Sequence, residues 1–356
     1  MLDLARLYDA AGLDPDEPVR RLARSLGFQL APLVLSVAVA EGHAAGPQTT
    51  MFLDRQRRRA RVYADVVTLL RDEADPVVLK GPALGALYPP ALVRPVGDLD
   101  LVIPVEERLW AAALKLMDVY GAAPSVFTLI RDQGAEHCFL GLTWPSDDPL
   151  SETDLEVEMS TFAYAGDQAG IPLRVACPPS PALTQLFAVV EERTQSPFTV
   201  KSALDCAVVL AAHPGLLTEP RTENAVHEFR IAPELCELLI HSASLTGLSV
   251  PARLDALAAQ ELARRTAAGV TDPPGALPDG RWTAADNVRF GVLLHHARRP
   301  GTVRRSGGPA PGGELLHTPV GDYLMLSGTD VDAPDVEAAR RMSLAAMSGP
   351  TPAPAV

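Results

Sequence analysis

Residues 77–104 read VVLKGPALGALYPPALVRPVGDLDLVIP, and two carboxylates one residue apart in that otherwise apolar run decide how the rest of the chain is read. Side chains alternate faces along a strand. A strand over 98–103 therefore puts Asp98 and Asp100 on one face and Leu99, Leu101 and Ile103 on the other. Adjacent carboxylates repel and resist burial, so such a face belongs in water or around a cation. Asp-x-Asp by itself suits a solvated edge strand as well as a metal site. The residues before it favour the second reading: 77–80 is a short apolar strand ending in Lys80-Gly81, and Pro82 follows at a position suited to opening a helix over 82–88.

At 356 residues the chain is long enough for a sizeable core and for two domains. Its 33 prolines assign a good part of it to loops or tails. Lys and Arg number 31 against 44 Asp and Glu, a net charge of -13. That excess of acid repels phosphate over long range and argues against long duplex nucleic acid as a partner. The exception is a local basic stretch at 55–61, RQRRRAR, read as a solvated helix face that is also able to hold phosphates. Cys138, Cys177, Cys206 and Cys236 lie far apart without paired metal-ligand spacing, and read as small core residues in a reducing cytoplasm. No charged-then-apolar leader opens the sequence. The most hydrophobic run, 30–40, is too short to span a bilayer and predicts a buried helix or strand. The expectation is a cytoplasmic protein with no membrane segment.

The pattern along the chain predicts an N-terminal helical segment (1–74), a core of alternating strands and helices (75–178), a helical domain (179–300) and a loop-rich C-terminal segment (301–356). In the first, 49–71 is a helix with Phe52, Val62, Val66, Leu69 and Leu70 as core positions. In the second, strands at 77–80, 98–103, 126–131, 137–143 and 153–160 and helices at 82–88 and 105–119 imply an α+β fold. Its expected form is a small mixed sheet with helices on one side. Helices are expected at 182–193, 200–213, 233–245, 251–268 and 284–298, the last ending in His295-His296 near its C-terminal dipole. Lys201 and Asp205 are spaced to pair on one of them. Residues 299–313 read as a linker and 348–356 as disordered, while 314–326 (ELLHTPVGDYLML) is apolar enough to dock at a position the pattern leaves open.

A second acidic face stands at 154–159, DLEVEM, where three acids alternate with three apolar residues. If its strand lies beside 98–103, one of Asp154, Glu156 and Glu158 completes a three-carboxylate site for magnesium, a hard cation that takes oxygen ligands and retains waters. No Ser-His-Asp arrangement, Walker loop or Rossmann glycine pattern is present.

Together, Leu79-Lys80-Gly81, Tyr88-Pro89, Arg94 and Asp98-Leu99-Asp100-Leu101-Val102 resemble the signature of a bacterial branch of the DNA polymerase beta-like nucleotidyltransferase superfamily. His137 with Glu156, and Lys201 with Asp205, match later parts of that signature more loosely. The resemblance covers about 77–210. It implies transfer of a nucleoside monophosphate from a nucleoside triphosphate, with two magnesium ions neutralising the triphosphate and activating the attacking oxygen. It assigns Asp98, Asp100 and Glu156 to the metals and to catalysis, and Lys80, Gly81 and Arg94 to the triphosphate. Gly81 would bring backbone N–H groups close to phosphate, and Arg94 would offer a fork to it. The chain departs from the wider superfamily in having Gly81-Pro82 where Gly-Ser or Gly-Gly is usual, and in a longer stretch between Gly81 and Asp98.

The expected acceptor is a small molecule or a peptide or protein hydroxyl. The alternatives are a catalytically degenerate nucleotide-binding or regulatory module, and a toxin-like transferase acting on transfer RNA through the 55–61 stretch.

Overall fold

The computed structural model describes residues 2–27, 29–167, 170–270, 287–299, 304–328 and 331–348. The chain opens with helices α1 (Leu4–Ala11), α2 (Val19–Ser25), α3 (Ala31–Ala40) and α4 (Pro47–Ala74). The Asp3 side chain caps α1 through the Arg6 N–H, and Gly12 closes it in the left-handed region that glycine adopts without strain. The apolar run at 30–40 is thus a buried helix. In α4, Val66 and Leu70 are buried as expected, and Leu53 and Tyr63 join them.

Next come β1 (Val77–Leu79), the short α5 (Gly81–Gly85), β2 (Leu99–Val102), α6 (Glu106–Tyr120), and β3 (Ala123–Asp132), β4 (Ala135–Trp144) and β5 (Leu155–Ser160). α5 stops after five residues, before the expected end at 88. β3 and β4 form an antiparallel hairpin closed by Gln133-Gly134, with φ of 48° and 86°, the pair of positive values that a two-residue turn matching strand twist requires. Along β5, Leu155, Val157 and Met159 are buried while Glu156 and Glu158 are half-buried, the alternation the pattern called for.

The helices that follow are α7 (Pro181–Glu191), α8 (Val200–Ala212), α9 (Pro220–Phe229), α10 (Ala232–His241), α11 (Ala243–Thr246) and α12 (Ala252–Ala267). α7 is buried from Ala182 to Val190, as an apolar-all-round helix must be. A capping box between Thr199 and Ser202 starts α8. The expected single helix at 233–245 is broken into α10 and α11 at Ser242, and α9 was not anticipated.

The C-terminal part departs most from expectation. Residues 288–296 form strand β6 (Val288–His296), not a helix, while 284–286 lie outside the described residues. The segment pairs with β3 on one side and β9 on the other, and Gly291 permits the close approach: a Cβ there would stand 3.0 Å from the rings of both Phe127 on β3 and Tyr323. His295 and His296 consequently sit on a strand and cap no helix. The expected linker contains β7 (Arg305–Ala310), and 300–303 lie outside the described residues. β7 is the last strand of the sheet, where Gly and Pro are tolerated, and its register shifts between Ser306 and Gly308. The apolar segment at 314–326 becomes β8 (Gly313–His317) and β9 (Gly321–Leu326), the latter buried throughout. α13 (Ala333–Ser348) ends the described chain. Of the tail expected to be disordered, all but Ser348 lies outside it.

The described residues form an α+β fold, with nine strands among them in the order β1-β2-β5-β4-β3-β6-β9-β8-β7. The sheet is larger than expected because β6 to β9 belong to it. Two compact units interleave along the sequence. The first comprises Met1–Thr68, Val78–Asp100 and Ala163–Thr283, and the second Leu69–Val77, Leu101–Phe162 and Ala284–Val356. In the second unit Asp322 on β9 is fully buried and accepts from Arg299, His317 and Ser343, which ties β8, β9 and α13 together. No described helix is long and apolar enough to cross a membrane.

Candidate functional site

In the first unit the segment 88–97 carries the chain to the two acids and is anchored along its length. The Val93 N–H donates to the Ser36 hydroxyl on α3 at 2.8 Å. The Gly97 carbonyl accepts from the Arg59 guanidinium and from the Tyr63 hydroxyl, both on α4. Arg59 is buried, so one arginine of the basic stretch at 55–61 serves to hold this loop, while Arg57 pairs with Asp54 at 3.0 Å. Directly after Gly97 the strand alternates as expected: Asp98 is exposed, Leu99 buried and Asp100 half-buried.

Arg94 has a different partner from the one the motif suggested. Its Nε and Nη2 donate to Oδ1 and Oδ2 of Asp205 on α8, each at 2.7 Å, and the two side chains are 4% and 1% exposed. The Tyr88 hydroxyl also donates to Asp205 Oδ1, at 2.8 Å. Burial alone would raise the Asp205 carboxyl, but the Arg94 charge and its hydrogen bonds outweigh that and hold it below the usual carboxylate range. Arg94 thus fixes the loop, and its fork is filled. The expected Lys201–Asp205 pair is present at 3.7 Å, as a secondary contact.

Lys80 and Gly81 turn the chain at the end of β1, and both have positive φ, 52° and 40°. A lysine there is strained by about 1–3 kcal/mol and needs to be held. Gln185 on α7 does so, accepting from the Lys80 N–H and donating to the Val78 carbonyl, each at 2.8 Å. A Cβ at Gly81 would meet the Asp98 carbonyl at 3.6 Å, which places this turn against the backbone of the first acid. The Lys80 ammonium lies 3.3 Å from Glu192, whose carboxylate also accepts from Ser202 and stands 3.7 Å from Lys201. Burial would lower the Lys80 pKa, but Glu192, Asp100 and Asp98 together raise it, so the lysine stays charged beside the acids.

Glu191, its neighbour, accepts from the Gly166 N–H at 2.7 Å. Burial pushes its carboxyl up to about 7, against the opposing effects of that hydrogen bond and of Lys80.

Glu156 and Glu158 belong to the second unit, on β5, with Thr143 opposite Glu156 on β4. Asp154 is exposed just before the strand. Among the described residues no group of three or more His, Cys, Asp or Glu is disposed to hold a metal. What the first unit offers is the Asp98–Asp100 pair. Such a hard-oxygen set suits magnesium, which is commonly held by one or two carboxylates plus substrate phosphates and keeps several waters. His137, on β4, packs edge-on against Phe162, and burial lowers its pKa.

Sequence reasoning missed Gln185, Glu191, Glu192 and the role of Arg59. Gln185 had a signal: a lone amide in the apolar helix PALTQLFAVVE has to find partners when buried. Glu192 had none, because its partners come from two distant places in the chain, Lys80 after β1 and Lys201 with Ser202 on α8.

No protein-family model, curated protein or solved structure matches this chain.

Asp205→Ala leaves a buried guanidinium uncompensated and is expected to cost about 3–5 kcal/mol in chemical denaturation, whereas Arg94→Met with Asp205→Leu restores most of it. A single variant as stable as the parent contradicts the anchoring role.

Glu191 titrates in the opposite sense to Asp205. Its folded pKa lies above the ordinary carboxylate value, so ionising it costs stability, and its contribution declines as pH rises from about 4.5 through about 7. Glu191→Gln keeps an acceptor for Gly166 and is expected to flatten the stability profile between pH 5 and 8. An unchanged profile refutes the assignment.

Proposed function

We propose that the chain is a magnesium-dependent nucleotidyltransferase that moves a nucleoside monophosphate from a nucleoside triphosphate to a hydroxyl of a small molecule, peptide or protein. The observation that carries this reading is the Asp98–Asp100 pair. Asp98 is exposed just before β2 and Asp100 half-buried on it, the residues before them are anchored to α3, α4 and α8, and a charged lysine stands in their field. Preorganised charge of this kind suits a reaction in which phosphate charge shifts while little else moves.

Magnesium, when bound, neutralises the triphosphate and lowers the pKa of the attacking hydroxyl. Asp98 and Asp100 supply its protein oxygens. Lys80 exchanges Glu192 for a phosphate oxygen and steadies the charge that develops on the departing pyrophosphate. The acceptor oxygen bonds to the α-phosphorus, the bond to the bridging oxygen breaks, and the hydroxyl proton passes to solvent or to a carboxylate. Gly81 keeps the turn close to the Asp98 backbone. Arg94 acts through the loop as a positioning residue. The role of Glu156 as a third carboxylate draws on the sequence resemblance and on the place of β5 next to β2 in the sheet order, and that of a second magnesium on the resemblance alone.

A second reading, nucleotide binding without turnover, draws on the occupied state of the cations. Arg94 is committed to Asp205 and Lys80 is paired with Glu192, so fewer positive groups stand open to a triphosphate.

Calorimetric titration with ATP, GTP, CTP and UTP is expected to show binding of at least one in the presence of magnesium and none in its absence. Asp98→Asn and Asp100→Asn should each abolish that binding with the thermal melt unchanged. Pyrophosphate release on adding hydroxyl acceptors then separates turnover from binding. If no triphosphate binds with magnesium present, both readings are wrong.

A further inference from the structure

The first unit contains a cavity of about 670 Å³ that the chemistry above does not use. This is within the range of small-molecule sites, roughly 300–1,000 Å³. Its walls are apolar: Leu204 and Val208 from α8, Leu216 from the turn after it, and Leu245 and Leu248 from α11 and beyond. Leu204 and Leu245 also belong to the buried cluster that packs α1, α3 and α8, so this wall is part of a fixed core. No Asp or Glu lines the cavity, although the chain carries 44 of them. Its one Lys or Arg is Arg6, on the exposed side of α1, and His213 stands on the rim. Among the described residues Arg6 has no carboxylate partner, and its guanidinium makes one long contact, from Nη1 to the Leu245 carbonyl at 3.5 Å.

We propose that this cavity binds a small amphipathic anion, an apolar chain or ring system ending in a carboxylate. The apolar body fills the space between α8 and α11. The carboxylate meets Arg6, whose planar fork matches its two oxygens. Burial of hydrocarbon supplies affinity at about 25 cal/mol per Å², and the single unpaired cation sets which end stays at the mouth. The proposal stands apart from the transferase reading, because none of Lys80, Asp98 or Asp100 lines the cavity.

The test is calorimetric titration of the full chain with octanoate and with 1-octanol, in the absence of nucleotide. Octanoate is expected to bind about tenfold more tightly than the alcohol, the order of one charge-assisted hydrogen bond. Arg6→Gln should erase that difference. Ala211→Trp, at an exposed position on α8 that lines the cavity, should block both ligands while the thermal melt is unchanged. No octanoate binding, equal affinity for acid and alcohol in the parent chain, or undiminished binding in Ala211→Trp overturns the proposal.

Discussion

The bidentate ion pair between Arg94 and Asp205 is the contact on which the arrangement of the first unit depends. It joins residues 111 positions apart, and it gathers the Tyr88 hydroxyl and the Lys201 ammonium around one buried carboxylate. A buried ion pair adds little net stability compared with a well-packed apolar pair, but losing one member is costly. Its effect here is geometric. The loop that leads to Asp98 can take only the path that keeps Arg94 against α8. Hydrogen bonds from Ser36, Arg59 and Tyr63 fix the same loop at its other points. An exposed and a half-buried acid at the end of a loop held in this way lose little freedom when they meet a cation, and that is what a metal or phosphate site requires.

Much of this was legible in the sequence and some of it was inverted. Alternation along 98–103 gave the faces of Asp98 and Leu99 correctly, because a period of two admits no other arrangement once the strand exists. The spacing of Lys201 and Asp205 gave their proximity. The motif placed Arg94 near the site, but it did not say whether the fork points outward to phosphate or inward to a carboxylate. That depends on a residue from another part of the chain. In the same way the run of arginines at 55–61 looked like a uniform solvated face, and only the fold distinguishes Arg59, which is turned toward Gly97, from Arg57 and Arg58, which are exposed.

The C-terminal strands show the opposite limitation. The helix expected at 284–298 rested on the spacing of its Leu, Ala and Val residues, whereas Val288, Phe290 and Val292 are strand formers and Gly291 a poor helix former, and pairing with β3 and β9 settles the segment as a strand. Gly291 was the signal available, since a glycine inside an apolar run often marks a close approach of neighbouring groups, here the rings of Phe127 and Tyr323. The glycines of β7 suggested a linker for the same reason that they suit an edge strand with a bulge. Local pattern alone cannot separate the two.

The central claim is that Asp98 and Asp100 receive magnesium and a triphosphate while Arg94 stays where the fold has put it. A crystal structure of the chain with magnesium and a non-hydrolysable nucleoside triphosphate tests this most directly. The account predicts metal and phosphate density at Asp98 and Asp100, Lys80 turned from Glu192 toward the phosphates, and Arg94 still bonded to Asp205. Phosphates held by an Arg94 that has left Asp205, or nucleotide bound without Asp98 and Asp100, would contradict it.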